Sequence, residues 1–179
     1  MVLLPVYFIY MMEKDKYSLI VGVGNTLLTD DGVGIHILQR LKEEKSLKGN
    51  KFLDLGTSSM DIGYYINDNI AKMVIIDSIR SEDDEPGSLF KLRLEDLAAK
   101  KRQNFSLHQL KLIDSLKLVS IENDFPETII LGIVPKDIKT FSEGLSDEMI
   151  SKFPLLYKRV LSLIIDFLGD DINQNVRTD

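Results

Sequence analysis

The chain has 179 residues, 44% of them apolar, enough to bury the core of one ordinary domain and too many for a disordered chain. Its 22 basic and 28 acidic residues leave a formal net charge of −6, which excludes a general nucleic-acid binder and a basic membrane-surface helix. With no cysteine it can form no disulfide, thiolate zinc site, iron–sulfur cluster or cysteine nucleophile, a composition that fits a reducing, cytoplasmic setting, and imidazole chemistry is left to His36 and His108.

Residues 1–12 read MVLLPVYFIYMM. The run is shorter than the roughly 20 residues that span a bilayer, and it lacks the basic leader and small-residue cleavage site of a secretory signal. Two readings stand. Either translation starts at Met11 or Met12, or the segment is an extra strand or arm packed on the domain. The expected organisation is an extension over residues 1–16, a single domain over 17–169 and a polar tail over 170–179.

Elements then alternate. SLIVGV (18–23) is an apolar run and predicts a buried strand. Residues 33–44 carry Val33, Ile37, Leu38 and Leu41 at helical spacing. A short strand follows over 51–55, and 59–70 predicts a second helix with Ile62, Tyr65 and Ile66 inward. KMVIID (72–77) is a third buried strand, whereas SLFKLRL (88–94) alternates apolar and charged residues as a half-exposed edge strand does. Residues 108–121 predict a helix, 128–134 (TIILGIV) a strand, and 146–168 a helix that Pro154 should kink or break. This alternation predicts an α/β three-layer sandwich. Its twisted sheet should have about five mostly parallel strands, with one edge strand antiparallel. Ligands of such sheets sit outside the carboxyl ends of the strands.

Three strand ends hold chemistry. The loop after the first strand opens with Gly22 and Gly24, but Leu27 fills the third glycine position of a dinucleotide fingerprint, and Asp30 and Asp31 would repel a pyrophosphate. Asp54 imitates the ribose-binding acid of that motif without rescuing it. Thr29, Asp30 or Asp31 can cap the helix that follows. One cap suffices, so a second acid is free to face the cleft. Asp77 closes the third strand, where an ionised carboxylate needs a partner; it is either a turn residue or a ligand. His108 follows Ser106, which forms a capping-box pattern with Gln109. In a first helical turn the dipole favours neutral imidazole, the metal-binding form. His36 reads as structural or exposed. Two carboxylates and one imidazole, Asp31, Asp77 and His108, suit a borderline divalent ion such as zinc or nickel. No HExxH, P-loop or G-x-S-x-G motif competes.

Several blocks in order resemble the hydrogenase maturation proteases: GVGNTLLTDDGVGIHIL (22–38), DLGTSSMDI (54–62), VIIDSI (74–79), PGS (86–88), HQL (108–110) and LGIVPKDI (131–138). The resemblance covers residues 18–168. It implies an aspartyl-type endopeptidase that removes a C-terminal extension from the nickel-loaded large-subunit precursor of a NiFe hydrogenase. It places metal recognition and catalysis on Asp31, Asp77 and His108. The family often has Glu where Asp31 stands, and a glycine is more usual at Ser58 or Ser59. By the same resemblance nickel comes with the substrate, or is also bound directly, and no organic cofactor is needed. Asn25, Gly56, Thr57 and Ser58 would line the substrate cleft. The expected partner is the precursor, with no nucleic acid or membrane, and the protein is expected to be a monomer. The basic KKRQNF stretch (100–105) either steers an acidic precursor tail or is plain surface, and the acidic SEDDEPG loop (81–87) reads as a solvated turn. Three other functions remain as alternatives: a non-catalytic nickel carrier, a metal-dependent hydrolase of small substrates, and a nucleotide-binding regulator using Gly22 and Gly24.

Overall fold

The computed structural model describes residues 16–94, 107–120 and 125–174, without the side chains of 107–111 and 170–174. The expected extension over residues 1–16, the basic stretch over 100–105 and the Ser106 cap therefore lie wholly or almost wholly outside the described residues.

Five strands form one sheet: β1 (Tyr17–Val23), β2 (Lys51–Gly56), β3 (Ile70–Ser78), β4 (Leu89–Arg93) and β5 (Glu127–Ile133). Their spatial order is β2-β1-β3-β5-β4. β1 pairs in parallel with β2 and β3, and β3 pairs in parallel with β5. β4 runs antiparallel on β5, as its alternating pattern predicts. The helices are α1 (Val33–Leu41), α2 (Leu107–Val119) and α3 (Asp147–Gln174).

The period of two along each strand divides the apolar residues between two cores. Ile20, Val74, Ile76, Ile129, Leu131 and Ile133 face α1 and α3, meeting Ile37, Leu38, Val160 and Ile164. Leu19, Val21, Met73, Ile75 and Ile130 face the other way, onto Ile62, Leu112, Ile113 and Leu116. The result is the expected three-layer sandwich.

Two predicted helices come out differently. Residues 59–70 form only a 3-10 segment, Ser59–Tyr65. Gly63 weakens a helix there, and Asn67 ends it. The Asn67 side chain accepts the Asn69 N–H at 3.1 Å, while its carbonyl accepts the Ile70 N–H at 3.0 Å and turns the chain into β3. The second difference is Pro154, which lies inside α3 without ending it. Ile150, whose carbonyl loses its usual donor, is 56% exposed, so water can replace the missing N–H.

The two sheet ends differ. At the amino ends of the strands, Lys72 is buried, and its Nζ donates to the Phe167 carbonyl at 2.8 Å in α3. At the carboxyl ends, α1 begins directly on the strands. A Cβ at Gly34 would stand 2.3 Å from the Ile76 carbonyl oxygen and 2.5 Å from that of Val23. Both obstacles are backbone, so neither can swing aside. Gly34→Ala should therefore cost about 3 kcal/mol or more in urea unfolding; a loss below about 1 kcal/mol would show that this helix–sheet contact is not tight.

Candidate active site

The loop after β1 is set by one glycine. Gly24 has φ +136°, and a Cβ there would lie 1.9 Å from the Asp31 carbonyl oxygen. The chain thus folds back on itself, and residues 29–32 form a 3-10 turn under the β1 end. Thr29 holds a left-handed φ of +46°, which a β-branched residue rarely adopts. Its Oγ1 donates to the Thr140 carbonyl at 2.7 Å, and its N–H donates to the Ser142 carbonyl at 3.1 Å.

None of the expected helix caps is used that way: the residue before α1 is Gly32, and no side chain caps the helix. Asp30 is instead fully buried and bound to a distant segment. Its Oδ2 accepts the N–H groups of Lys136 at 3.0 Å and Asp137 at 2.9 Å and the Ser146 hydroxyl at 2.8 Å. Its Oδ1 accepts the Ser146 N–H at 2.7 Å. The two aspartates thus differ: Asp30 is a structural acid, though not a cap, and Asp31 lies at the carboxyl edge of the sheet.

Asp31 is half-buried at the carboxyl edge. Its Oδ1 accepts the Ser78 hydroxyl at 2.9 Å, and its Oδ2 accepts the Asn25 N–H at 3.2 Å. Ser78 follows Asp77 directly, so one hydroxyl ties the end of β3 to the free acid of the first loop. Sequence reasoning overlooked Ser78; its only signal is that it adjoins Asp77. Asp77 is itself buried. Burial pushes its carboxyl up to about 8, the nearby Asp31 charge adds to the rise, and a hydrogen bond from the Ser78 backbone opposes it.

His108 lies in the first turn of α2, and its side chain is outside the described residues. The helix direction still places its backbone. Lys117 and Ser120, at the far end of α2, share a cleft with Glu127 and Thr128 at the start of β5. The first turn of α2 is therefore at the opposite end of the sheet, where β1 and β3 finish. Among the described residues no cluster of three or more histidine, aspartate or glutamate side chains could hold a metal ion. The acid pair alone is brought together there. Of the expected cleft residues, Asn25 touches Asp31 through its backbone. Gly56 has φ +52° and accepts the Gly24 N–H at 3.0 Å, joining the two loops. Thr57 and Ser58 are exposed on the turn that follows. His36 is half-buried, and its Nε2 is buried with no hydrogen-bond partner among the described residues. Burial lowers its pKa, and Asp30 opposes this.

A family model described as hydrogenase maturation protease matches residues 35–163. The chain belongs to the hydrogenase maturation protease family. It is 34% identical over 125 residues to the hydrogenase 2 maturation protease of Escherichia coli, covering 68% of this chain and 74% of that protein. It is 30% identical over 142 residues to a putative hydrogenase maturation protease of Methanocaldococcus jannaschii, covering 76% of this chain and 88% of that one. Two solved structures share the fold. The hydrogenase maturating endopeptidase of E. coli superposes with a TM-score of 0.70 at 26% identity, covering 84% of this chain and 93% of that one. The NiFe hydrogenase maturation protease of Thermococcus kodakarensis gives 0.68 at 30% identity, covering 82% and 98%. The protein is thus a hydrolase, an endopeptidase of the maturation type. Asp77 and His108 fall inside the matched span and Asp31 stands just before it. Among the described residues no helix is long and apolar enough to cross a membrane.

The Asp77 environment has a pH signature. A carboxyl whose folded pKa lies above its unfolded value of 3.8 favours the fold most below pH 4, and that contribution is lost as pH rises to about 8. In chelator-treated protein, the melting temperature of Asp77→Asn should gain on that of the native chain from pH 5 to pH 8. By pH 8 it should lead by about 3 °C or more, the shift of about 1 kcal/mol in a chain this size. A difference that stays flat across this range would mean that folding does not raise the Asp77 pKa.

Proposed function

We propose that the protein removes a C-terminal extension from the nickel-loaded large-subunit precursor of a NiFe hydrogenase, reading the nickel through Asp31, Asp77 and His108. The observation that carries this is the meeting of Asp31 and Asp77 at the carboxyl edge of the sheet, joined through Ser78, in a chain of this protease family. The reading takes His108, in the first turn of α2, as the third member of the site.

The chemistry follows from the charge. Two acids this close repel each other, and a buried carboxylate has lost its water. Each deficit is relieved by a cation. Nickel held by precursor thiolates is such a cation, and it arrives with the substrate. Carboxylate oxygens and an imidazole nitrogen are ligands it accepts. Docking discharges the proton that Asp77 holds and fixes the neighbouring peptide bond beside the site. Water then adds to the scissile carbonyl carbon, the carbon–nitrogen bond breaks, and the released amine takes a proton. A precursor without nickel offers nothing to offset the acid pair, so it is not held. The absence of cysteine from this chain fits the reading, because the thiolates come from the substrate.

Intact mass of the precursor tests this directly. The nickel-loaded precursor should lose a C-terminal peptide on incubation with the protein, and the nickel-free precursor should keep it. His108→Ala should abolish processing while the melting curve stays native. Processing of both precursors would remove nickel as the signal, and normal cleavage by a folded His108→Ala protein would remove the trio. An unchanged precursor mass, combined with tight nickel binding by the free protein, would favour a carrier.

A further inference from the structure

The carboxyl edge carries a second feature that the acid pair does not use. Leu27 is 48% exposed and Phe141 79% exposed. Both sit on backbone held in place from two sides. Leu28 and Ser142 form a parallel bridge, and the Ser142 N–H donates to the Leu27 carbonyl at 3.2 Å. Thr29 adds its two bonds to Thr140 and Ser142, and Asp30 anchors the segment at Lys136, Asp137 and Ser146. The bridge brings the backbones of the two loops together, so Leu27 and Phe141 each stand next to a bridged residue on the adjoining loops of this rim. Both side chains sit on backbone tied by hydrogen bonds to the other loop, so the apolar surface they expose is held in place beside the acid site.

The rim is linked to the site. The Leu27 N–H donates to the Asn25 side-chain oxygen at 3.0 Å, and the Asn25 N–H donates to Asp31 Oδ2 at 3.2 Å. Leu27 is thus two hydrogen bonds from the Asp31 carboxylate. A polypeptide that delivers a metal-bound segment to Asp31 passes over this rim. A second copy of the chain seated here would cover the mouth of the same site. We propose that Leu27 and Phe141 form an apolar docking rim for the large-subunit precursor, taking apolar side chains that flank its metal-bound segment. This rests on the processing function above. Asp31 and its neighbours recognise the charge of the substrate, and the rim recognises its polypeptide. The other exposed apolar residues lie on other elements: Met60, Tyr64 and Tyr65 follow β2, Leu118 lies on α2, and Ile150, Leu155 and Ile165 lie on α3.

Cleavage kinetics on the nickel-loaded precursor of a hydrogenase from the same organism test the rim. Phe141→Ala and Leu27→Ala should each raise KM roughly tenfold, with kcat within about twofold of native, as truncation of an interface anchor does. Phe141→Leu should restore most of the loss. The melting temperature of Phe141→Ala should not move, because that side chain is 79% exposed, and that of Leu27→Ala should fall only slightly, because about half of Leu27 is exposed. Tyr64→Ala, on the other layer, should behave as native. A KM within about twofold of native for both alanine variants would sink the rim, as would a loss confined to kcat or an equal effect of Tyr64→Ala. A native protein that leaves the precursor intact under the same conditions would refute the processing function itself.

Discussion

The buried carboxylate of Asp30 holds the functional end of the molecule together. It is fully enclosed, and it is stable there because four donors converge on its two oxygens. Those donors come from the segment that leaves β5 and leads into α3, more than a hundred residues along the chain. One side chain thus binds the loop after β1 to the loop after β5 across the intervening β3. The strained Thr29 backbone is tolerable only because the same two loops meet around it. Removing one member of such a network would leave buried N–H groups without acceptors, a larger penalty than the net gain of any single hydrogen bond. Asp31 is the next residue, so its position is a consequence of the Asp30 anchor.

With that frame in place, the acid pair is an arrangement that costs the free protein energy. Burial and the neighbouring charge both raise the Asp77 carboxyl, and Ser78 holds Asp31 in position close by. A structure that keeps two acids together at a strand edge retains an affinity for positive charge without spending a basic residue to neutralise it. The same cost separates cargo from empty partner. A polypeptide lacking the cation would leave the acids as they are, while one bearing it would relieve them. On the proposed function, discrimination by charge and docking by apolar surface would be carried by different residues on adjoining loops, and each could change without the other.

Much of this is legible in the sequence. Apolar runs at 18–23, 72–77 and 128–134 are buried strands because both faces of a parallel sheet are covered. The edge position of β4 follows from its alternating charges. Asp31 and Asp77 could be picked out because one lies in the loop that leaves a strand and the other at a strand's carboxyl end, which is where such sheets bind ligands. What could not be read there is long-range. Asp30 looks like a helix cap, since a cap is the nearest use for an aspartate before a helix, and its real partners at 136, 137 and 146 are remote in sequence. Ser78 carries no signal beyond its neighbour. The helix expected over 59–70 fails for a local reason, the Asn67 turn, which outweighs the periodicity of Ile62, Tyr65 and Ile66.

The two ends of β3 show why function sits where it does. At the amino end, Lys72 is a buried cation satisfied within the protein, by a carbonyl of α3 at 2.8 Å and by Glu127 at 3.9 Å. The carbonyl belongs to the last third of α3. At the carboxyl end, Asp77 is a buried acid that feels the like charge of Asp31, and none of the ion pairs among the described residues includes it. A strand nine residues long thus carries a closed electrostatic contact at one end and an open one at the other. The closed contact joins sheet to helix, so altering it would change stability first. Under the proposed function the open one would be completed by a charge from the substrate, so altering it would change recognition first. That asymmetry follows from parallel strands, which gather their outgoing loops at one edge and leave the other edge to packing.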